Sequence, residues 1–229
     1  MNAKQIAAEA ALELISSNMV IGLGTGSTAD FFLVALGESL RSGRLSNITG
    51  VPTSRRSEQR AIELGIPLTS LANCGQTDIT VDGADEVAPN LDVIKGLGGA
   101  LLREKIVAQH SRRLAIIADD SKVVTMLGTR SPLPVEVAVF EHQSQAAFLR
   151  SLGSTPTLRL NQDGTPFLSD NSNFIYDCRF EKIADPPALE RTLRTRAGII
   201  DSGMFLGMAS IAFIGSAQGV RKMENRTRT

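Results

Sequence analysis

The chain has 229 residues, and Lys plus Arg equals Asp plus Glu at 24 each, so its formal net charge is zero. That balance argues against a broad nucleic-acid surface, which needs a basic excess against the phosphate backbone. It leaves a small, locally held anion as the charged partner. No run of about 18 apolar residues is present to span a membrane, and the start, Met1-Asn2-Ala3-Lys4-Gln5, leads into helical sequence rather than a signal segment.

Residues 4–15 place Ile6, Ala10 and Leu14 at four-residue steps, which predicts a helix with that face inward. Met19 to Leu23 reads as a buried strand and Ala29 to Leu40 as the next helix. A short strand follows at Ile48 to Val51, then a helix at Ser57 to Leu64 that Gly65 and Pro67 terminate. Apolar runs at Ile79–Val81, Leu91–Ile94 and Leu114–Ala118 alternate with helical pattern, as at Leu101 to Gln109. Such alternation predicts an α/β fold, a mainly parallel sheet with helices on both faces.

The pattern changes near Pro132 and Pro134. A strand at Val135–Val139, a helix at His142–Leu152, strands at Thr157–Leu160 and Asn173–Phe180, and a helix from Asp185-Pro186-Pro187 to Arg194 predict a small α+β unit. Asn161-Gln162-Asp163-Gly164 carries the hairpin signal within it. Ile199-Ile200 and Ser210 to Ile214 are expected to rejoin the main sheet, giving a main domain of residues 1–131 and 198–229 and a small one of 132–197. The basic end, Arg221 to Thr229, reads as a frayed tail. Cys74 and Cys178 share no metal-type spacing and read as buried free thiols, which suits a reducing cytoplasm.

Four polar clusters follow apolar runs, and parallel strands would bring their carboxyl ends to one crevice. In the first, Gly22, Gly24 and Gly26 permit a tight turn, and Thr25, Ser27 and Thr28 adjoin a helix N-terminus suited to a phosphate, with Ser27 or Thr28 as its cap. The cluster is neither G-x-G-x-x-G nor a P-loop, which favours a terminal phosphate over a nucleotide. In the second, Asp82 and Asp85, around Gly83 and Ala84, can transfer protons, hold hydroxyls, bind Mg²⁺ or simply cap a turn. In the third, Lys95 ends an apolar run, where burial demands an anion, and Gly96, Leu97, Gly98 and Gly99 follow with backbone N–H groups. Glu104 lies one helical turn further on, between Arg103 and Lys105. It reads either as a solvated surface glutamate or as a base. The fourth cluster, Asp119-Asp120-Ser121-Lys122, offers either a further phosphate contact at Lys122 or an exposed turn.

A base, a lysine beside a developing oxyanion and a phosphate grip suffice to remove a proton next to a carbonyl. In order and spacing these motifs, with Leu133-Pro134-Val135-Glu136-Val137, resemble the ribose-5-phosphate isomerases of the A type over nearly the whole chain. The resemblance implies interconversion of ribose 5-phosphate and ribulose 5-phosphate without metal or organic cofactor. It also implies a Rossmann-like main domain, a smaller α+β domain and a homo-oligomer, often a dimer. By motif, it makes Glu104 the base between C2 and C1, and Lys95 with nearby amides the oxyanion site. Asp82 with Asp85 would assist ring opening and hold hydroxyls, while Thr25 to Thr28, Lys122 and Lys4 grip the phosphorylated substrate. Two departures stand out: Leu97 replaces a more usual glycine, and Ser202 to Met208 is more apolar than its usual counterpart. A CoA transferase, an amino-sugar-phosphate deaminase and a non-enzymatic sugar-phosphate sensor are the rival readings. The Lys95 and Asp82 pair favours the isomerase over the first two, and a sensor gives no reason for Glu104.

Overall fold

The computed structural model describes residues 2–224. In chain order it forms α1 (Ala3–Ala11), β1 (Val20–Leu23), α2 (Ser27–Arg41), β2 (Thr49–Pro52), α3 (Arg55–Glu63), a single turn α4 (Leu71–Cys74) and β3 (Ile79–Gly83). A ribbon of β4 (Glu86–Val87) and β5 (Val93–Ile94) leads to α5 (Leu101–Gln109) and β6 (Leu114–Asp119). Then come β7 (Leu133–Val137), α6 (His142–Ser151), β8 (Thr155–Leu158), β9 (Phe174–Arg179), α7 (Pro186–Arg194) and β10 (Ile199–Ser202). The chain closes with β11 (Met204–Phe205), β12 (Ile211–Ser216) and β13 (Gly219–Glu224).

The main sheet runs β13-β12-β6-β3-β1-β2, parallel except for β13. Its central strands are mostly apolar because both faces are covered, with Thr80 and Asp82 of β3 as buried polar exceptions. In β6, Ala115 and Ile117 enter the core under α1 and α2, while Leu114, Ile116 and Ala118 enter the opposite core with Ala108 of α5. Each such isoleucine contributes about 1.5–3 kcal/mol by leaving water. From β1 the chain passes outward to β2, then returns to β3 on the other side of β1. This reversal opens a crevice at the carboxyl ends of β1 and β3, where α/β sheets bind ligands.

The expected α/β sheet and the smaller antiparallel unit both form, with several departures in detail. Val93–Ile94 is not a main-sheet strand; β5 lies in a separate antiparallel sheet, β11-β5-β4, so Lys95 reaches the crevice from a ribbon. Ile199–Ser202 does not rejoin the main sheet but pairs with β7 in the four-stranded sheet β10-β7-β9-β8; only β12 returns. The Asn161–Gly164 turn closes a single bridge, Leu160 with Pro166, inside the long connection between β8 and β9. Of the supposed frayed end, residues 221–224 complete β13, and the remainder lies outside the described residues. Cys178 is buried, which pushes its thiol up to about 12, but Cys74 is only half-buried because α4 is a short surface turn.

In α1 the buried residues are Ala7, Ala8 and Ala11, and the expected face of Ile6, Ala10 and Leu14 is half-buried. The helix lies too close to β12 for larger side chains at the contact. A Cβ on Gly215 of β12 would stand 1.9 Å from the Ala3 carbonyl oxygen. Gly215→Ala should therefore cost about 1–3 kcal/mol in urea unfolding and shift α1. An unchanged midpoint would mean that α1 is not seated on that glycine.

Candidate active site

Three loops meet at the switch point. Gly24 donates its N–H to the Val81 carbonyl at 3.0 Å, so the turn after β1 is stitched to β3. A Cβ on Gly24 would stand 2.4 Å from Asp82 Oδ1, so only glycine allows this approach. Thr25 follows, its N–H donating to Asp82 Oδ1 at 2.9 Å and its hydroxyl bonded to Ser54 and Thr53. The N-cap of α2 is Gly26, at φ 110°, with no side-chain cap; Ser27 and Thr28 lie in the first turn instead of capping it. The first-turn N–H groups of α2 thus meet no capping side chain and keep their affinity for an anion.

Two lysines flank that helix end. Lys4 of α1 donates from Nζ to Ser27 Oγ at 2.9 Å. On the other side, Asp119 accepts from the N–H and the hydroxyl of Ser121, capping the single turn Asp120–Lys122 that brings Lys122 to the crevice wall.

At the crevice floor, Lys95 is 2% exposed. Its Nζ donates to the Gly83 carbonyl at 2.6 Å and lies 3.0 Å from Asp82 Oδ2 and 3.5 Å from Glu104 Oε1. Asp82 is buried, and its Oδ1 accepts from the N–H of Thr25 and of Gly83. Burial raises its pKa, while Lys95 and the two N–H donors draw it back down. For Lys95, burial alone would lower the pKa, but Asp82, Glu104 and Asp85 turn the balance upward. Glu104, 3% exposed, has no donor on Oε2. Burial raises it to about 8 despite Lys95, with Asp82 and Asp85 adding to the rise.

The sequence-chosen residues converge. Thr25, Gly26, Ser27, Thr28, Gly83, Ala84, Asp85, Lys95, Gly96, Gly98, Glu104 and Lys122 line one crevice together with Lys4. Asp82 lies just beneath, under Lys95. Leu97 is different: its side chain is 38% exposed and turned away, and only its backbone takes part, the N–H donating to Asp85 Oδ2 at 3.0 Å. The reading of Glu104 as a solvated surface residue fails, and its neighbour Lys105 is buried as well. Lys105 is 2% exposed and donates to Asp201 Oδ1 at 2.6 Å and the Ser202 carbonyl at 2.7 Å. It ties α5 to β10. Phe205 stands near both buried ammonium groups, its ring centroid 5.5 Å from Lys95 Nζ and 5.0 Å from Lys105 Nζ.

A doubly wound α/β sheet with a buried carboxylate–lysine–carboxylate floor and a cationic, uncapped helix end defines an enzyme that moves protons on a small phosphorylated compound. Comparison with known proteins narrows the class. Residues 49–219 match the family Ribose 5-phosphate isomerase A (phosphoriboisomerase A). Ribose-5-phosphate isomerase A of Roseiflexus sp. (strain RS-1) is 51% identical over 217 residues, covering 95% of this chain and 93% of that protein. Its counterpart in Chloroflexus aurantiacus is 50% identical over 218 residues, 95% of this chain and 91% of that one. Among solved structures, a D-ribose-5-phosphate isomerase in complex with phospho-erythronic acid superposes with a TM-score of 0.95 at 41% identity, over 98% of this chain and 100% of that one. The Plasmodium falciparum enzyme gives 0.94 at 39% identity, over 98% of both chains. The chain belongs to the ribose 5-phosphate isomerase A family.

The charges around Glu104 make its titration testable with carbon-13-labelled glutamate. Asp82→Asn removes a neighbouring negative charge and should lower the Glu104 pKa; Lys95→Met removes the opposing cation and should raise it. Each shift should be on the order of one unit. An unmoved titration in both variants would show that burial alone sets the value.

Proposed function

We propose that the protein interconverts D-ribose 5-phosphate and D-ribulose 5-phosphate through an enediolate, as in the non-oxidative pentose phosphate pathway. The observation that carries this reading is Glu104, a buried carboxylate with one unpartnered oxygen, 3.5 Å from the Lys95 ammonium in a crevice rimmed by the α2 N-terminus. In this reading the α2 N-terminus, Ser27, Thr28, Lys4 and Lys122 hold the phosphate, and Asp85 with Asp82 assists ring opening and holds hydroxyls.

With the aldehyde at C1, ionised Glu104 takes the proton from C2. The C–H electrons form the C1–C2 double bond and charge moves onto O1. Lys95 and the backbone N–H groups of the glycine turn stabilise that charge, a contribution of about 3 kcal/mol for one such donor. A proton passes from O2 to O1, Glu104 returns its proton to C1, and the ketone stands at C2. A positioned base adds ~10²–10⁴ in rate. Because Glu104 must be ionised to begin, kcat/KM in the aldose direction climbs with pH through its titration near 8. We propose further that no metal is needed, since Lys95 already stands between the two carboxylates where a cation would lie. A cytoplasmic homodimer completes the proposal, supported by the exposed Phe140, which a second copy would cover.

Ketose formation from ribose 5-phosphate in EDTA tests the reaction directly. Glu104→Gln should lose at least about 10³-fold in kcat while still binding the sugar phosphate in calorimetry; near-normal turnover would remove it as the base. Lys122→Ala should weaken ribose 5-phosphate by roughly tenfold, the scale of a charge-assisted hydrogen bond, and leave free ribose unaffected. Equal weakening of both would place this lysine away from the phosphate.

A further inference from the structure

We propose that Arg159, contributed by the antiparallel unit some sixty residues further along the chain, is a positioning residue that polarises the oxyanion turn. Its guanidinium is locked in a fork on Asp177, with Nε donating to Oδ2 at 2.9 Å and Nη2 to Oδ1. The remaining edge faces the glycine turn: Nη1 donates to the Gly96 carbonyl and to the Leu97 carbonyl, both at 3.1 Å. The side chain is 12% exposed, so water screens this charge weakly.

Each of those carbonyls shares a peptide group with an N–H on the crevice side. The Gly96 carbonyl is conjugated with the Leu97 N–H, which donates to Asp85 Oδ2. The Leu97 carbonyl is conjugated with the N–H of Gly98, which lines the crevice and has no hydrogen-bond partner among the described residues. A cation at the oxygen end of a peptide pulls electron density from its nitrogen and strengthens the N–H as a donor, as in any hydrogen-bond chain. Arg159 therefore acts at a distance on the donor that meets charge developing at O1. Lysine cannot substitute fully, because a point charge lacks the planar fork that holds Asp177 and two carbonyls together.

This inference rests on the isomerase reading, and wild-type turnover of ribose 5-phosphate tests that reading separately. Arg159→Met and Arg159→Lys are compared with wild type for kcat, KM, thermal midpoint and inhibition by phospho-erythronic acid, whose carboxylate resembles the enediolate oxygens. The Met variant should lose roughly tenfold or more in kcat, less than deletion of an oxyanion donor itself. The inhibition constant should rise in parallel while KM stays within about twofold, as for a contact made only in the transition state. Lysine should restore part of both. Unchanged kcat and inhibition, or losses that track KM and the thermal midpoint, would overturn the proposal and leave Arg159 as a fastening between two sheets. Should the Met variant fail to fold, Asp177→Asn, which loosens the fork but keeps the charge, decides by the same parallel or its absence.

Discussion

One buried ammonium governs this structure. Lys95 has almost no contact with water, and an unpaired charge at such depth costs several kcal/mol. Two carboxylates and the Gly83 carbonyl surround it, so cation and anions do not balance: the cluster carries one negative charge too many. Asp82 has two backbone N–H donors to compensate it, and Glu104 has none on its outer oxygen. The excess therefore falls on Glu104, which holds its proton up to about 8. Replacing such a cluster with apolar side chains is often neutral or stabilising. Its presence in the core is a departure from stability that a reaction explains and folding does not.

The sheet supplies the geometry. Asp82 is the last residue but one of β3 and Thr25 lies two residues beyond β1, and their adjacency is the direct result of the strand order reversing there. Lys95 and Glu104 arrive from outside the sheet, one at the end of the short ribbon and the other on the helix after it. The turn between them is pinned from two sides. Lys95 accepts no slack because its N–H is bonded to the Gly203 carbonyl at 2.9 Å, and Gly203 has no room for a Cβ beside the Lys95 carbonyl. Gly99, at φ 84°, abuts the Phe167 ring, which a Cβ would meet at 2.5 Å. Small residues here are what allow the ammonium, the carboxylate and the turn amides to share one small volume.

Much of this was legible in the sequence, for physical reasons that differ by element. β6 and β12 announce themselves because both faces are buried and every position but the last of each is buried and apolar or small. Asp185 and two prolines mark the start of α7, and Asp185 does accept from the Ala188 N–H. β13 was missed because an edge strand carrying Arg221, Lys222 and Glu224 looks like a tail. In α5 the usual rule is inverted: Glu104 and Lys105 are buried while Ile106 is 41% exposed, so periodicity says nothing about which residues face inward. The partners that justify Lys105 and Arg159, at Asp201 and at Gly96, lie 96 and 63 positions away. Only the fold brings them within reach, and no local pattern encodes that.

The same inversion bears on how the active crevice and the antiparallel unit belong together. A surface salt bridge is worth little, and its loss would leave catalysis untouched. The links here are of another kind. Lys105 joins the helix carrying Glu104 to β10, Arg159 joins the glycine turn to β8 and β9, and Arg103, next to Glu104, donates to the Asp170 carbonyl at 3.1 Å. All three link the antiparallel unit to residues within a few positions of Lys95 or Glu104, and each includes a bond to a backbone carbonyl rather than to mobile carboxylates alone. Carbonyls cannot swing to follow a partner, so these bonds fix backbone position. A base and an oxyanion site only a few ångströms apart lose rate steeply when displaced by about an ångström. The second unit thus works as a clamp on Lys95, Glu104 and the glycine turn, and the sheet with the uncapped N-terminus of α2 provides the fixed frame they are clamped to.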